Sequence, residues 1–222
     1  MADVFNRDEK EAGLARAISK ELNRARLELI AIIPELDNFM RDVEPAFWTT
    51  HSANLERAIA PILTSVALNQ AETMLGEFEF LGVEWGLVNQ AAVDWARQYT
   101  FELVKGLTDT SKQTLQKLIA QFFEQGMNQG ELRDALAPIF GPLRAEIIAR
   151  TEVTRAASEG EQLWAKQIAE QGIQMQPVWN TRMDELVCPI CGPKANKPIM
   201  DEQYPPAHPR CRCWVGYELP KE

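Results

Sequence analysis

All four cysteines of this 222-residue chain lie within residues 188–213, in two groups with the spacing of metal ligands. The first group is Cys188 and Cys191, which are separated by two residues. The second group follows a 16-residue loop and contains His208, Cys211 and Cys213. A Cys-x-x-Cys turn can direct two thiolates at one ion, and zinc favours four thiolate or imidazole ligands in a tetrahedron. The pattern therefore predicts one structural zinc site.

Five side chains are candidates for four coordination positions. The spacing of His208 and Cys211 matches the tight turn of the first pair, which favours Cys211 slightly. In an extended segment, however, Cys211 and Cys213 point to the same side, so both stay in the candidate set. Four protein ligands leave no coordination position for a reactive water. The site is therefore predicted to be structural and not catalytic.

Other roles for the cysteines are reduced buried thiols, a redox pair formed by Cys188 and Cys191, or one disulfide between the two groups. A secreted disulfide-bonded protein usually spreads its bridges across the fold, whereas residues 1–187 contain no cysteine. The redox pair lacks a strand-then-helix context. The loop between the groups is rich in Pro, Asn, Asp and Lys and cannot bury a core of its own. Metal binding would supply folding energy there, on the order of 10 kcal/mol.

The charge of the chain is unevenly distributed. Residues 1–176 contain 17 Lys and Arg against 26 Asp and Glu, which gives −9, whereas residues 177–222 contain 6 of each. An acidic body repels phosphate backbones, so contact with DNA is expected to be weak or secondary. No stretch approaches the roughly 20 apolar residues that span a bilayer, and residues 1–10 do not resemble a signal peptide. No membrane association is expected.

Helices are predicted to position the candidate ligands. Apolar residues recur every three or four positions over residues 14–32, 55–78, 85–99 and 115–122. Pro34 is expected to end the first helix, and Pro61 to kink or divide the second. Thr110 and Gln113 have capping-box spacing and predict that a separate helix begins there, as do Asn128 and Glu131 for a short helix. Gly126 is expected to end the helix before Asn128, and Pro142 to open the last helix, about 142–170.

After Gly172 the pattern changes to extended chain, over residues 173–179 and again over 213–217. Pro177 argues against a central strand in the first of these segments. The predicted fold class is α+β, a mostly helical body with a small C-terminal zinc-knuckle-like β element. The predicted regions are 1–84 (N-terminal helices), 85–172 (further helices) and 173–222, the C-terminal element that binds zinc.

Several charged side chains are candidates for contacts around this element. We expect Arg150, Glu152 and Asp184 to form structural polar contacts that dock the C-terminal element onto the last helix. Arg210 and Arg212 lie beside the candidate ligands, where they could contact a phosphate or an acidic partner surface. A stripe of aromatic residues, which includes Trp95 and Tyr99, is expected to lie in the core.

With these residues identified, the sequence resembles the Mu-F-like minor head protein family of tailed bacteriophages, also called phage head morphogenesis proteins. The resemblance spans roughly residues 85–218 and leaves residues 1–84 uncovered. Three blocks carry it: Phe140-Gly141-Pro142 leading to Ala149-Arg150-Thr151-Glu152, Ala156 and Gly160; Trp179-Asn180-Thr181 with Asp184; and Pro205-Pro206-Ala207-His208-Pro209-Arg210-Cys211-Arg212-Cys213.

The resemblance implies a structural minor head protein that acts in head (capsid) morphogenesis near the portal. Its partners would be portal and capsid proteins, and some relatives associate with packaged DNA. It would be located in the virion, inside the phage head, and in the host cytoplasm during assembly. In relatives the cysteine and histidine cluster looks like a metal-binding knuckle.

The alternative class is an enzyme, either a zinc-associated nuclease or an ADP-ribosyltransferase-like protein that uses Arg150 and Glu152. General bases are scarce, because His51 and His208 are the only histidines and His208 is a candidate ligand. The sequence has no Gly-rich phosphate loop. We therefore expect no catalytic activity.

Overall fold

A computed structural model describes residues 4–33, 44–77, 84–181, 187–200 and 203–219. These residues form a mostly helical body with a small antiparallel sheet, so the predicted fold class is confirmed. None of the helices in the described ranges combines the length and apolar composition needed to cross a membrane. The long helices are α1 (Arg7–Ile32), α2 (Glu44–Glu77), α3 (Trp85–Gln125), α4 (Gln129–Phe140) and α5 (Pro142–Glu170).

The prediction that a separate helix begins near Thr110 is wrong, because α3 continues without a break from Trp85 to Gln125. The Thr110 hydroxyl donates to the carbonyl of Gly106, one turn earlier in the same helix, at 2.9 Å. The buried face of α3 runs straight through this point, from Val104 to Leu115. Packing of that face therefore overrides the local capping signal.

Pro61 does not divide α2, although the sequence predicted a kink or break there. Its neighbours Ile59 and Leu63 are both fully buried. Proline removes one backbone hydrogen bond from a helix, and burial of apolar side chains on both sides of it can offset that loss.

The predicted boundaries around α4 are confirmed. Gly126 ends α3 in the left-handed conformation, with φ of 63°. The Asn128 side chain accepts hydrogen bonds from the backbone of Gly130 and Glu131, and Glu131 accepts one from the Asn128 backbone at 2.8 Å, which completes a capping box. Pro142 occupies the first turn of α5, where its missing N–H costs nothing.

Helix α5 runs through the centre of the molecule, with α1 and α2 packed against it. The closest approach is at Gly160, where an added Cβ atom would collide with the backbone carbonyl of Ala67 in α2. One hydrophobic cluster joins all five helices. A second joins α2 and α5 to the C-terminal element, through Trp164, Trp179 and three of the cysteines. The C-terminal element is thus packed onto the helices and shares a core with them.

Three short strands form the sheet: β1 (Gln176–Asn180), β2 (Lys197–Pro198) and β3 (Trp214–Glu218). The order is β2-β1-β3 with antiparallel pairing, so the strand that contains Pro177 is central, contrary to the prediction. β2 pairs only with Val178 and Trp179, so Pro177 lies beyond the doubly paired part of β1. Its carbonyl still accepts a hydrogen bond from the Ile199 backbone, at 2.8 Å.

Candidate metal centre

The Cys-x-x-Cys segment forms a tight turn. The backbone N–H groups of Cys191 and Gly192 donate to the carbonyl of Cys188, at 3.1 and 2.9 Å. The Cys191 N–H also lies 3.3 Å from the Cys188 sulfur. A short 3₁₀ turn, Gly192–Lys194, follows directly. The chain thus reverses within four residues and holds both sulfur atoms on one side.

The second half of the site is a similar turn. The Cys211 N–H donates to the carbonyl of His208 at 3.1 Å, and Arg210 between them has a left-handed backbone, with φ of 65°. The Nδ1 atom of His208 lies 2.7 Å from the carbonyl of Pro209, which can only accept, so Nδ1 carries the proton. The Nε2 lone pair is then available to a metal ion.

The structure brings all five candidate ligands together. Nε2 of His208 lies 3.0 Å from the sulfur of Cys188 and 3.3 Å from that of Cys191. The sulfurs of Cys191 and Cys211 are 3.8 Å apart. A tetrahedral zinc ion with Zn–S bonds of about 2.3 Å holds two sulfurs about 3.8 Å apart. These donor atoms could hold a metal ion, and the separation of the Cys191 and Cys211 sulfurs matches that in a zinc tetrahedron.

The choice between Cys211 and Cys213 stays open. Two overlapping groups have ligand atoms within 4.8 Å of one another, and Cys191 belongs to both: Cys188, Cys191 and His208; Cys191, Cys211 and Cys213. Both Cys211 and Cys213 are buried, at 1% and 5% exposure. Cys211 as the fourth ligand stays a prediction.

Crowding of the thiols separates their proton affinities. A hydrogen bond from the Cys213 side chain lowers the pKa of Cys211 to about 5. Burial and the adjacent Cys211 charge raise the pKa of Cys191 to about 12. Hydrogen bonding to Cys211, together with burial, also raises the pKa of Cys213. The thiolate is therefore favoured at Cys211 and the thiol at Cys191 and Cys213, where a cation could replace the protons.

Two threonines of α5 hold the second ligand turn. The Thr154 hydroxyl donates to the backbone carbonyl of Cys211 at 2.7 Å. The Thr151 hydroxyl accepts the Arg210 N–H at 2.9 Å. Farther along α5, the fully buried carboxylate of Glu161 accepts the Val215 N–H at 3.0 Å and the Gln70 side-chain amide at 2.7 Å. The contacts of Thr151, Thr154 and Glu161 with the backbone of residues 210–215 dock the C-terminal element onto α5.

The docking role expected of Arg150, Glu152 and Asp184 stays a prediction, and the first two make contacts between helices. Arg150 forms an ion pair with Glu11 of α1 at 3.7 Å, beside the candidate ligands. Glu152 accepts hydrogen bonds from Tyr99 at 2.6 Å and from Arg155 at 3.2 Å, so it connects α3 with α5. Asp184 lies outside the described residues.

Helix α1 supplies contacts to the site that sequence patterns did not indicate. The buried Arg7 guanidinium donates to Thr154 at 2.8 Å and lies 3.5 Å from the Cys213 carbonyl. Arg212 pairs with Glu11 at 3.1 Å and with Asp8. Arg212 is thus engaged within the chain, whereas the side chain of Arg210 is exposed.

The candidate ligands lie within a region of the chain that matches a known protein family. Residues 113–216, slightly under half of the chain, match the family model described as phage Mu protein F like protein. The match includes α4, α5, β1, β2, the first three residues of β3 and all five candidate ligands. The curated proteins and the solved structures gave no match to the chain. The resemblance predicted from the sequence is confirmed over residues 113–216, which are similar to the phage Mu protein F-like family.

Proposed function

We propose that this protein is a structural minor head protein of a tailed bacteriophage, which acts in head morphogenesis near the portal. The family match over residues 113–216 carries the proposal. It is supported by the way the matched motifs fold, because blocks far apart in sequence meet at one face of α5. An element docked in this way suits a component that binds other proteins.

The proposed metal is zinc in a structural role. The ligands would be Cys188, Cys191 and His208, with Cys211 or Cys213 as the fourth. The fit of the 3.8 Å sulfur separation to a zinc tetrahedron supports this choice. A bound zinc would fix the two ligand turns against each other.

Catalysis is not part of the proposal. The enzyme alternative relied on Arg150 and Glu152, and both are engaged in contacts between helices. Glu152 is only 6% exposed. His51, the second histidine, is buried in the helical body and contacts Glu28 at 3.0 Å. These contacts are typical of structural roles.

The proposed partners are portal and capsid proteins, with DNA contact weak or secondary. The net charge of −9 lies wholly in residues 1–176, so the helical body repels duplex DNA. Of the two arginines considered for phosphate contact, Arg212 already pairs with carboxylates of α1. One exposed arginine would release about one counterion, so any binding to DNA should depend little on salt.

Mass spectrometry of purified virions tests the assignment, together with co-purification from cells that express the neighbouring head genes. We expect this chain in the virion and a nuclease-resistant complex with a portal or capsid protein. DNA binding with a steep salt dependence, combined with no head protein in the complex and no copy in the virion, would overturn the assignment.

A further inference from the structure

A cleft of about 550 Å³ lies between α3, α5 and the C-terminal element, and nothing described above uses it. We call it the side cleft. Its walls come from α3, from α5 and from the C-terminal element, including Trp95, Arg155 and Lys194. A volume of this size is typical of clefts that hold a small ligand or a short peptide segment.

One wall of the side cleft is an ordered stack. The rings of Trp95 and Tyr99 are parallel to within 4°, with centroids 5.2 Å apart. The Arg155 guanidinium lies over the Tyr99 ring at 5.4 Å. The sequence placed both aromatic residues in the core, but they are only partly buried and line the cleft. The stack presents an apolar surface next to a cation.

A buried carboxylate fixes this wall from behind. Both hydrogen-bond partners described for Glu152, Tyr99 and Arg155, line the side cleft. Burying a carboxylate costs free energy. Here the buried Glu152 carboxylate orients the side chains of Tyr99 and Arg155 at the surface. The ion pair uses Nε of Arg155, which leaves its Nη nitrogens outside that contact. Because the side chain is 40% exposed, these donors can reach a ligand. Such a wall is preorganised for recognition.

The opposite wall adds a second cation and more apolar surface. Lys194 lies over the Trp179 ring at 4.8 Å, and Ile190, between the two cysteines, is 54% exposed. Among the lining residues, Arg155 and Lys194 contribute two positive charges and Glu159 one negative charge. The side cleft therefore presents two cations and apolar surface on a protein of net charge −9, with Glu152 paired to Arg155 behind the wall.

We propose that the side cleft binds an extended peptide segment of a partner protein, in which an acidic side chain stands beside an aromatic or aliphatic one. The acidic group would pair with Arg155 or Lys194, and the apolar group would pack on Trp95 and Ile190. A nucleic acid strand fits less well, because it carries a phosphate at every nucleotide, and Glu159 and the acidic body would repel the phosphates that follow. The proposal concerns ligand chemistry and holds whether or not the partner is a head protein.

Selection from a random library of mRNA-displayed 12-residue peptides, against the full-length protein as purified, tests the proposal. We expect enrichment of peptides with Asp or Glu next to an aromatic or aliphatic residue. The best peptide, measured by calorimetry, should lose about tenfold or more in affinity with Arg155→Gln, because a charge-assisted contact is removed. Arg97→Gln, an exposed arginine of α3 outside the side cleft, is the matched control and should change affinity less than twofold.

Lys194→Gln provides a second variant that leaves the Glu152 contacts intact, so the test stands even if Arg155→Gln alters the fold. It should also weaken the peptide by several-fold. Failure to enrich any peptide, enrichment of peptides without acidic residues, or equal affinity for both cleft variants and wild type would overturn the proposal. If a fluorescent (dT)12 oligonucleotide binds, and the same two substitutions weaken its binding, the side cleft is a nucleic-acid site and the peptide proposal is overturned.

Discussion

Cys191 is the residue that joins the two halves of the candidate metal centre. Its sulfur lies within 3.3 Å of His208 and 3.8 Å of Cys211, and it belongs to both groups of clustered ligand atoms. It is 3% exposed, so solvent cannot stabilise its charged form. A bound cation would stabilise the charge of this buried thiolate. Metal binding can therefore be tested at single residues in two ways.

Substitution of single cysteines should identify the fourth ligand. We expect Cys211→Ser to lower bound zinc from one equivalent to well below one, because a hydroxyl is a poor zinc ligand. Cys213→Ser should retain nearly one equivalent. Metal analysis of protein purified without chelator measures both. The reverse result would assign Cys213 as the fourth ligand, and wild type without zinc would rule out the site.

Zinc affinity should fall as the pH is lowered. The pKa of Cys191 is raised to about 12 by burial and the adjacent thiolate, so at neutral pH zinc must displace its proton. Each proton released changes the binding constant by about tenfold per pH unit. Competition with a zinc-binding dye between about pH 8 and pH 6 measures the slope. An affinity independent of pH would contradict binding through these thiols.

At the scale of elements, α5 organises the molecule because it contacts α1, α2, α3 and the C-terminal element with different faces. Its small residues allow this, since Ala149, Ala156 and Gly160 let neighbours approach closely. Its hydroxyl groups then hold the ligand turn through Thr151 and Thr154. Helix α5 therefore uses its small residues for close packing and its threonine hydroxyls for hydrogen bonds to the ligand turn.

Two glycine substitutions in helices should have opposite effects on stability. Gly160→Ala places a methyl group against the backbone carbonyl of Ala67 and should destabilise the protein by about 2 kcal/mol or more. Gly106→Ala meets no atom within 4 Å and should stabilise it by about 0.5–1 kcal/mol, since alanine has the higher helix propensity. Thermal unfolding of both variants measures the effect. A Gly160→Ala protein as stable as wild type would mean that α2 and α5 are not in close contact.

At the scale of the whole molecule, the second hydrophobic cluster joins the C-terminal element to the helical body. Cys191, Cys211 and Cys213 pack in that cluster together with Trp164 of α5. The first cluster holds the helices together without using any cysteine. Loss of the metal should therefore affect the two parts of the molecule to different extents.

Removal of zinc should loosen the C-terminal element and spare the helices. With a chelator, or in a Cys188→Ser variant, we expect faster protease cleavage within residues 177–222, because the loop has little core of its own. Helical circular dichroism should change little, since α1 to α5 keep their own core. A digestion pattern identical to that of the metal-loaded wild type would show that no metal holds this element.

The sequence alone determined the features that depend on neighbouring residues. The ligand types, the tight turns and the capping box at Asn128 are local, since each is encoded within about four positions. The tertiary structure decided the contacts between distant segments, such as Arg7 with Thr154 and with Cys213, which are 147 and 206 positions apart. It also kept α3 intact through Thr110 and placed Pro177 in a central strand. Burial stabilises whole faces of helices and strands. It can therefore outweigh a short local pattern, such as the capping-box spacing at Thr110 or the proline at position 177.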